Sequence, residues 1–168
     1  DKGGIALSNE NYGLIYGNAG TIAFILGSIL SGYYISHFGL KKTLFSLVCI
    51  FNIPFAVYLL LALFQPSSLW WIGTGIVFEY FSYGFGFVGI TLFMMQQIAP
   101  GKYQMAHYAF ANSLMNLSVM VPGMLSGKLA AVFGYQTFFI IVLLVTLPAI
   151  LMALRLPFAH SVAPQGEK

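Results

Sequence analysis

The sequence predicts an all-α, polytopic membrane bundle of five transmembrane helices. Only 7% of its 168 residues are Asp, Glu, Lys or Arg, against about 25% in a soluble domain. The mean hydropathy is +0.86. Five apolar stretches, each near the 20 residues needed to cross about 30 Å of hydrocarbon, are separated by short polar breaks. A water-soluble fold, a disordered tail and a nucleic-acid module are excluded together, because such a surface could not be kept wet and seven basic residues cannot track a phosphate backbone. The runs are long and continuous, where barrel strands would alternate over about ten residues, so helices are favoured over a β-barrel.

The expected spans are 12–35, 43–64, 69–98, 105–130 and 137–154, with 155–168 as a tail. The first is rich in small residues, Gly13, Gly17, Gly20, Gly27 and Gly32, which let helix backbones approach; Gly13-xxx-Gly17 reads as a packing motif. The second carries Asn52 and Pro54 and is otherwise greasy, and the fifth has Pro148 as its one irregularity, so both are expected to face lipid. The third and fourth carry more polarity than lipid tolerates: Glu79, Ser82, Tyr83, Gln96 and Gln97, then Tyr108, Asn112 and Asn116. The breaks are His37 to Lys42, Gln65 to Ser68, Ala99 to Lys102, and Gly134-Tyr135-Gln136. Their shortness makes consecutive spans antiparallel.

Lys41, Lys42, Lys102 and Arg155 fall on one side of this arrangement. Short cytoplasmic loops retain Lys and Arg, so that side is expected to be cytoplasmic, with the N-terminus extracytoplasmic and the C-terminus cytoplasmic. Lys128, near the end of its span, can snorkel to the opposite interface. Tyr12, Trp70, Trp71, Tyr103 and Tyr135 read as interfacial anchors. The chain opens Asp1-Lys2-Gly3-Gly4, without a Met or a signal pattern, and is read as a piece of a longer one.

Glu79 is the one acidic residue inside any span, roughly 15 Å from Leu69 at 1.5 Å per residue. A carboxylate at that depth is costly and must face protein or a wet cavity. It is a candidate for proton coupling or solute contact, or a structural Glu that holds a neighbouring helix. Tyr83 extends the same stripe. Tyr108, Asn112 and Asn116 recur every four residues on one face, as an amide ladder for a polar solute or as glue between helices. His37 and His107 lie at expected interfaces and His160 in the tail. The spacing makes no metal site, and Cys49 alone supports neither a disulfide nor a thiolate site. His107 reads as an interfacial hydrogen-bonding group or a pH-sensitive gate. Ser31-Gly32 and Ser126-Gly127 have no His at membrane depth, and no phosphate loop, HExxH or paired aspartates occur, so no enzyme and no cofactor are expected.

The stretch Gly32-Tyr33-Tyr34-Ile35-Ser36-His37-Phe38-Gly39-Leu40-Lys41-Lys42 resembles the cytoplasmic loop signature of the major facilitator superfamily, G-x-L-a-D-r-x-G-r-k. Gly32, Gly39 and Lys41 keep their places. Ser36 stands where the family has an acid, and His37 and Leu40 where it has Arg, an erosion common in the loop's second copy. Lys102-Tyr103-Gln104-Met105-Ala106-His107-Tyr108-Ala109-Phe110, with Asn112-Ser113-Leu114, is similar to the segment entering helix eleven in the muropeptide permease and acetyl-CoA transporter branch. The resemblance implies half of a major facilitator-type fold, helices eight to twelve, with an N-terminal bundle of the same chain missing. It implies that spans one, three and four line a cavity while two and five brace it. It also implies proton-driven alternating access for a polar organic solute, such as a cell-wall sugar-peptide, in a bacterial inner membrane. On this reading Glu79 couples protons, and Tyr83, Asn112 and Asn116 contact solute. A non-transporting membrane scaffold is the competing class. Convergence of Glu79 and the Asn ladder on one cavity favours transport, and separate burial in helix contacts favours a scaffold.

Overall fold

The computed structural model describes residues 13–66 and 68–158, and every described element is helical. Tyr12, the expected start of the first span, lies outside the described residues, as do Lys2, His160 and the tail beyond 158. Among the described residues, four helices are long and apolar enough to cross a membrane: α1 (Gly13–Phe38), α2 (Leu40–Phe64), α3 (Leu69–Ile98) and α4 (Gln104–Leu154). The first eight residues of α1 and the last five of α3 are wound as π-helix, at Gly13–Gly20 and Met94–Ile98.

The five expected spans therefore fall on four helices, because the fourth and fifth are joined without a loop in α4. The break foreseen at Gly134-Tyr135-Gln136 shrinks to one residue inside the 51-residue α4, with Gly134 at φ 77°, ψ 157°. At 1.5 Å per residue a straight α4 would measure about 76 Å, more than twice the hydrocarbon thickness. It turns at Gly134 instead. Past that residue the chain runs back along α2: Gln136 Nε2 donates to the Ala62 carbonyl at 3.4 Å, and Phe139 stacks on Tyr58. Farther along, Ile140 to Ile150 line a cleft with Leu59 to Cys49.

Gly39 makes the same kind of reversal between α1 and α2, at φ 81°, ψ 144°. This backbone region is open essentially to glycine alone. Its N–H donates to the Ile35 carbonyl at 2.8 Å, and its carbonyl accepts from both the Thr43 N–H, at 3.2 Å, and Thr43 Oγ1, at 3.0 Å. One residue thus closes one helix and opens the next, and α2 begins at Leu40 where a start at Thr43 was expected.

In a bilayer, apolar side chains gain little by leaving lipid, so helices associate through close packing and small residues. Here α3 lies against both α1 and α2, and the crossing is built from glycine on both sides. A methyl on Gly27 would land on the Phe81 carbonyl oxygen, and one on Gly84 would land on that of Phe24. Ser28 Oγ bonds across this crossing to the Gly84 carbonyl at 3.3 Å as well as to Phe24 at 2.9 Å. The buried stripe of α1 is Ala23, Gly27, Ser31 and Ile35, four apart. The expected packing motif, Gly13-xxx-Gly17, makes no such contact: neither residue has an atom near where a side chain would start. Toward α2, Gly86 and Gly89 leave room for Phe51 and Leu47.

One apolar cluster ties an end of the bundle: Ile35, Leu40, Leu44 and Leu47, with Phe85, Phe93, Leu156 and Phe158 packed on it. It brings together the Gly39 turn, the end of α3 and the segment after α4. Lys41, Lys42 and Arg155 therefore share this end, and all three are exposed. Away from the seams the apolar side chains point outward, Trp70 at 86% exposure and Phe64 at 77% among them. That surface suits lipid.

Candidate functional site

Glu79 lies ten residues into α3 and is half-buried. Its Oε2 accepts a hydrogen bond from the hydroxyl of Tyr58 on α2. The Tyr58 ring is itself stacked on Phe139 of α4, centroids 5.6 Å apart and planes 11° from parallel. From α1, Tyr16 reaches the same hydroxyl, while its ring meets Tyr80 edge-on at 5.9 Å. All four helices thus contribute to the surroundings of one carboxylate. Register explains why: α2 runs antiparallel to α3, so Val57 and Leu61 oppose Gly75, Phe51 opposes Gly86, and Tyr58 comes level with Glu79.

One turn on, Tyr83 is 43% exposed and sits between α1 and α2, its ring 5.6 Å from Phe24 and 5.4 Å from Phe51, with Phe87 at 5.8 Å. The aromatic box is amphipathic, since Tyr adds a hydroxyl to an otherwise apolar wall.

The structure does not gather the Asn ladder around Glu79. Asn112 is half-buried and Asn116 exposed on the first limb of α4, and Asn116 Nδ2 donates to the Asn112 carbonyl of its own helix at 2.8 Å. Three clefts of about 500 Å³ each are described. One separates α2 from the second limb of α4, at Asn52, Ala56 and Leu147. One joins Met94 and Ile98 to His107 and Leu114. One lies under Trp71, between Leu61 and Phe78. Glu79, Tyr83, Asn112 and Asn116 line none of these three.

Of the loop residues, Gly39 makes the reversal, Gly32 has open space around it, and Lys41 is exposed in the first turn of α2. His37 stacks on Tyr33, 6.4 Å between centroids and planes 5° apart. Among the described residues no group of three His, Cys, Asp or Glu could hold a metal. Among the described residues, the buried hydroxyls of Ser31, Ser82 and Thr91 find no hydrogen-bond partner, an uncommon arrangement for polar atoms removed from solvent.

Sequence reasoning singled out Glu79 and missed Tyr58. The available signal was a lone hydroxyl in an otherwise apolar helix end, Val57 to Phe64, and nothing local connects it to a carboxylate 21 positions away.

Comparison with known proteins decides the family. A profile of the Major Facilitator Superfamily matches residues 5–168. The chain belongs to that superfamily. The resemblance drawn from Gly32 to Lys42 is thereby confirmed at family level, and a multi-pass membrane transporter family, not an enzyme family, is its setting. Among curated relatives, "Putative transporter AmpG 1" of Rickettsia felis is 25% identical over 138 residues, covering 82% of this chain and 31% of the relative. The protein of the same name from Rickettsia bellii is 25% identical over 142 residues, 82% of this chain and 33% of its own length. An uncharacterized protein of Haemophilus influenzae is 24% identical over 153 residues, 88% and 36% respectively. The chain thus spans about a third of the length of these curated relatives. No solved structure matches it.

Proposed function

We propose that the chain forms the C-terminal part, helices eight to twelve, of a secondary active transporter that moves a polar, muropeptide-like solute by proton-coupled alternating access. An N-terminal bundle of the same polypeptide completes the path. The observation that carries the coupling is Glu79: the one acidic side chain among the described residues, in a spanning helix, half-buried and bridged to a second helix. A carboxylate so placed exists for a reason other than solubility. Tyr83, with its exposed edge in an aromatic box, and Asn112 and Asn116, on the least covered limb of the bundle, are the proposed solute contacts. The end that carries Lys41, Lys42 and Arg155 faces the cytoplasm, and the membrane is the bacterial inner one.

The test is proton-driven uptake of a labelled muropeptide by vesicles carrying the complete polypeptide. Glu79→Gln is expected to abolish accumulation against a gradient and to flatten the pH dependence. Unchanged accumulation with an unchanged pH profile overturns the coupling role. A second reading draws on a specific observation, the separate placement of Glu79 at a helix seam and of Asn116 on its own helix. It makes the bundle a scaffold, and predicts that Glu79→Gln lowers stability without altering any proton-dependent behaviour.

A further inference from the structure

Tyr58 is the point at which the four helices meet around a titratable group. Its hydroxyl donates to Glu79 on α3, Tyr16 of α1 reaches that hydroxyl, and Phe139 of α4 lies flat against its ring. The stack on Phe139 restrains the sideways swing of the whole ring about χ1, so the hydroxyl is held toward the carboxylate and cannot follow it freely if Glu79 swings away. The titratable group facing Glu79 is Tyr58 from α2; Tyr16 from α1 approaches Tyr58, and Tyr80, next to Glu79 along α3, meets the ring of Tyr16. The side chain that α4 adds, Phe139, does not titrate.

Bond strength at this junction follows the charge on Glu79. An ionised carboxylate accepts a charge-assisted hydrogen bond roughly twice as strong as a neutral pair makes. When Glu79 takes up a proton from water it becomes a neutral acid, the bond from Tyr58 weakens to a neutral one, and the new O–H needs an acceptor of its own. Release of that proton restores the strong bond. The α1–α3 crossing gives such a change something to act on: Gly27 and Gly84 meet backbone to backbone, with Tyr16 and Tyr80 toward the N-terminal end of both helices.

We propose that Tyr58 is the positioning residue of Glu79, a latch that holds α2 and α4 against α1 and α3 while Glu79 is ionised and releases them when it is protonated. This rests on the coupling role of Glu79 proposed above and deepens it.

The experiment needs no solute, since its probe is the proton alone. In the complete polypeptide with Cys49→Ser, spin labels are placed at Leu14 of α1 and Phe64 of α2, both exposed. The distance between them is then followed across pH in lipid nanodiscs. The unmutated pair is expected to titrate between two distances and Glu79→Gln to hold one. Tyr58→Phe, which keeps the ring stack, is expected to displace the midpoint by about one pH unit, a tenfold change, as loss of one hydrogen bond to a charged group implies. In the double variant Tyr58→Phe/Glu79→Gln, Tyr58→Phe is expected to add nothing. Tyr16→Phe, one step farther from the carboxylate than Tyr58, is expected to displace the midpoint less. A Tyr58→Phe titration that overlays the unmutated one overturns the latch, as does a further distance change in the Glu79→Gln background. If Glu79→Gln itself titrates normally, the coupling role of Glu79 falls, which distinguishes that failure from failure of the latch alone.

Discussion

Substituting Gly86 by Ala tests how α3 holds α2. A Cβ built on Gly86 lies 2.6 Å from both Cβ and Cδ2 of Phe51. Carbon atoms pack at about 3.5–4.0 Å, so the gap must widen by roughly 1 Å. Rotation of Phe51 can move Cδ2 but not Cβ, which is fixed to the α2 backbone. The helices themselves therefore have to part. Overpacking of this kind costs about 1–3 kcal/mol. The general preference of a helix for Ala over Gly opposes it by about 0.5–1 kcal/mol, leaving a net loss of roughly 0–2.5 kcal/mol with a centre near 1 kcal/mol. Phe51 also lines the Tyr83 box at 5.4 Å, so the strain reaches a proposed solute contact. Gly127→Ala is the matched control, because nothing lies within 4 Å of its would-be Cβ. There only the helix preference operates, and stability should hold or rise by about 0.5–1 kcal/mol. Unfolding of both variants in mixed micelles by a denaturing detergent measures the difference directly. A Gly86→Ala protein at least as stable as Gly127→Ala would refute the reasoning that the α2–α3 seam is closed by backbone contact at glycine.

Two further outcomes follow from the geometry. Gly134→Ala places a side chain at φ 77°, ψ 157°, a region that glycine alone occupies comfortably, and should cost about 1–3 kcal/mol in the same unfolding assay; Gly123→Ala, in open space and without that backbone, should not. Asn116→Ala removes only a bond to a carbonyl of its own exposed helix, so its effect on stability should stay within about 0.5 kcal/mol. Reduced muropeptide uptake at unchanged stability for Asn112→Ala or Asn116→Ala then supports solute contact, and unchanged uptake removes these two residues from the site.

The helix ends show where local chemistry sufficed. Pro66 after Phe64 and Pro100-Gly101 after Ile98 stop helices for reasons internal to a few residues, and α3 occupies Leu69–Ile98. The Gly134 break shows where it did not. Gly134-Tyr135-Gln136 has the composition of a loop, but whether three residues or one leave the helix depends on where Gln136 and Phe139 find partners on α2. The choice among small-residue patterns in α1 has a related reason. Gly13-xxx-Gly17 and Ala23-xxx-Gly27-xxx-Ser31 are both small-residue patterns, and only the position of α3 selects the second.

What the sequence determined by itself was the solvent and the family: too few charges for water, spans long enough for lipid, Lys and Arg confined to ends, a loop pattern shared with a transporter superfamily, and a single carboxylate inside a span. Each is a property of composition or of neighbours in the chain. Which way Glu79 points was decided only by tertiary structure. In lipid the apolar side chains are as much at home outside as inside, so polarity along a helix marks its unusual residues without marking its inner face. The partner of Glu79 is a hydroxyl on a different helix, brought level by the antiparallel register of α2 and α3 and fixed there by a ring from α4.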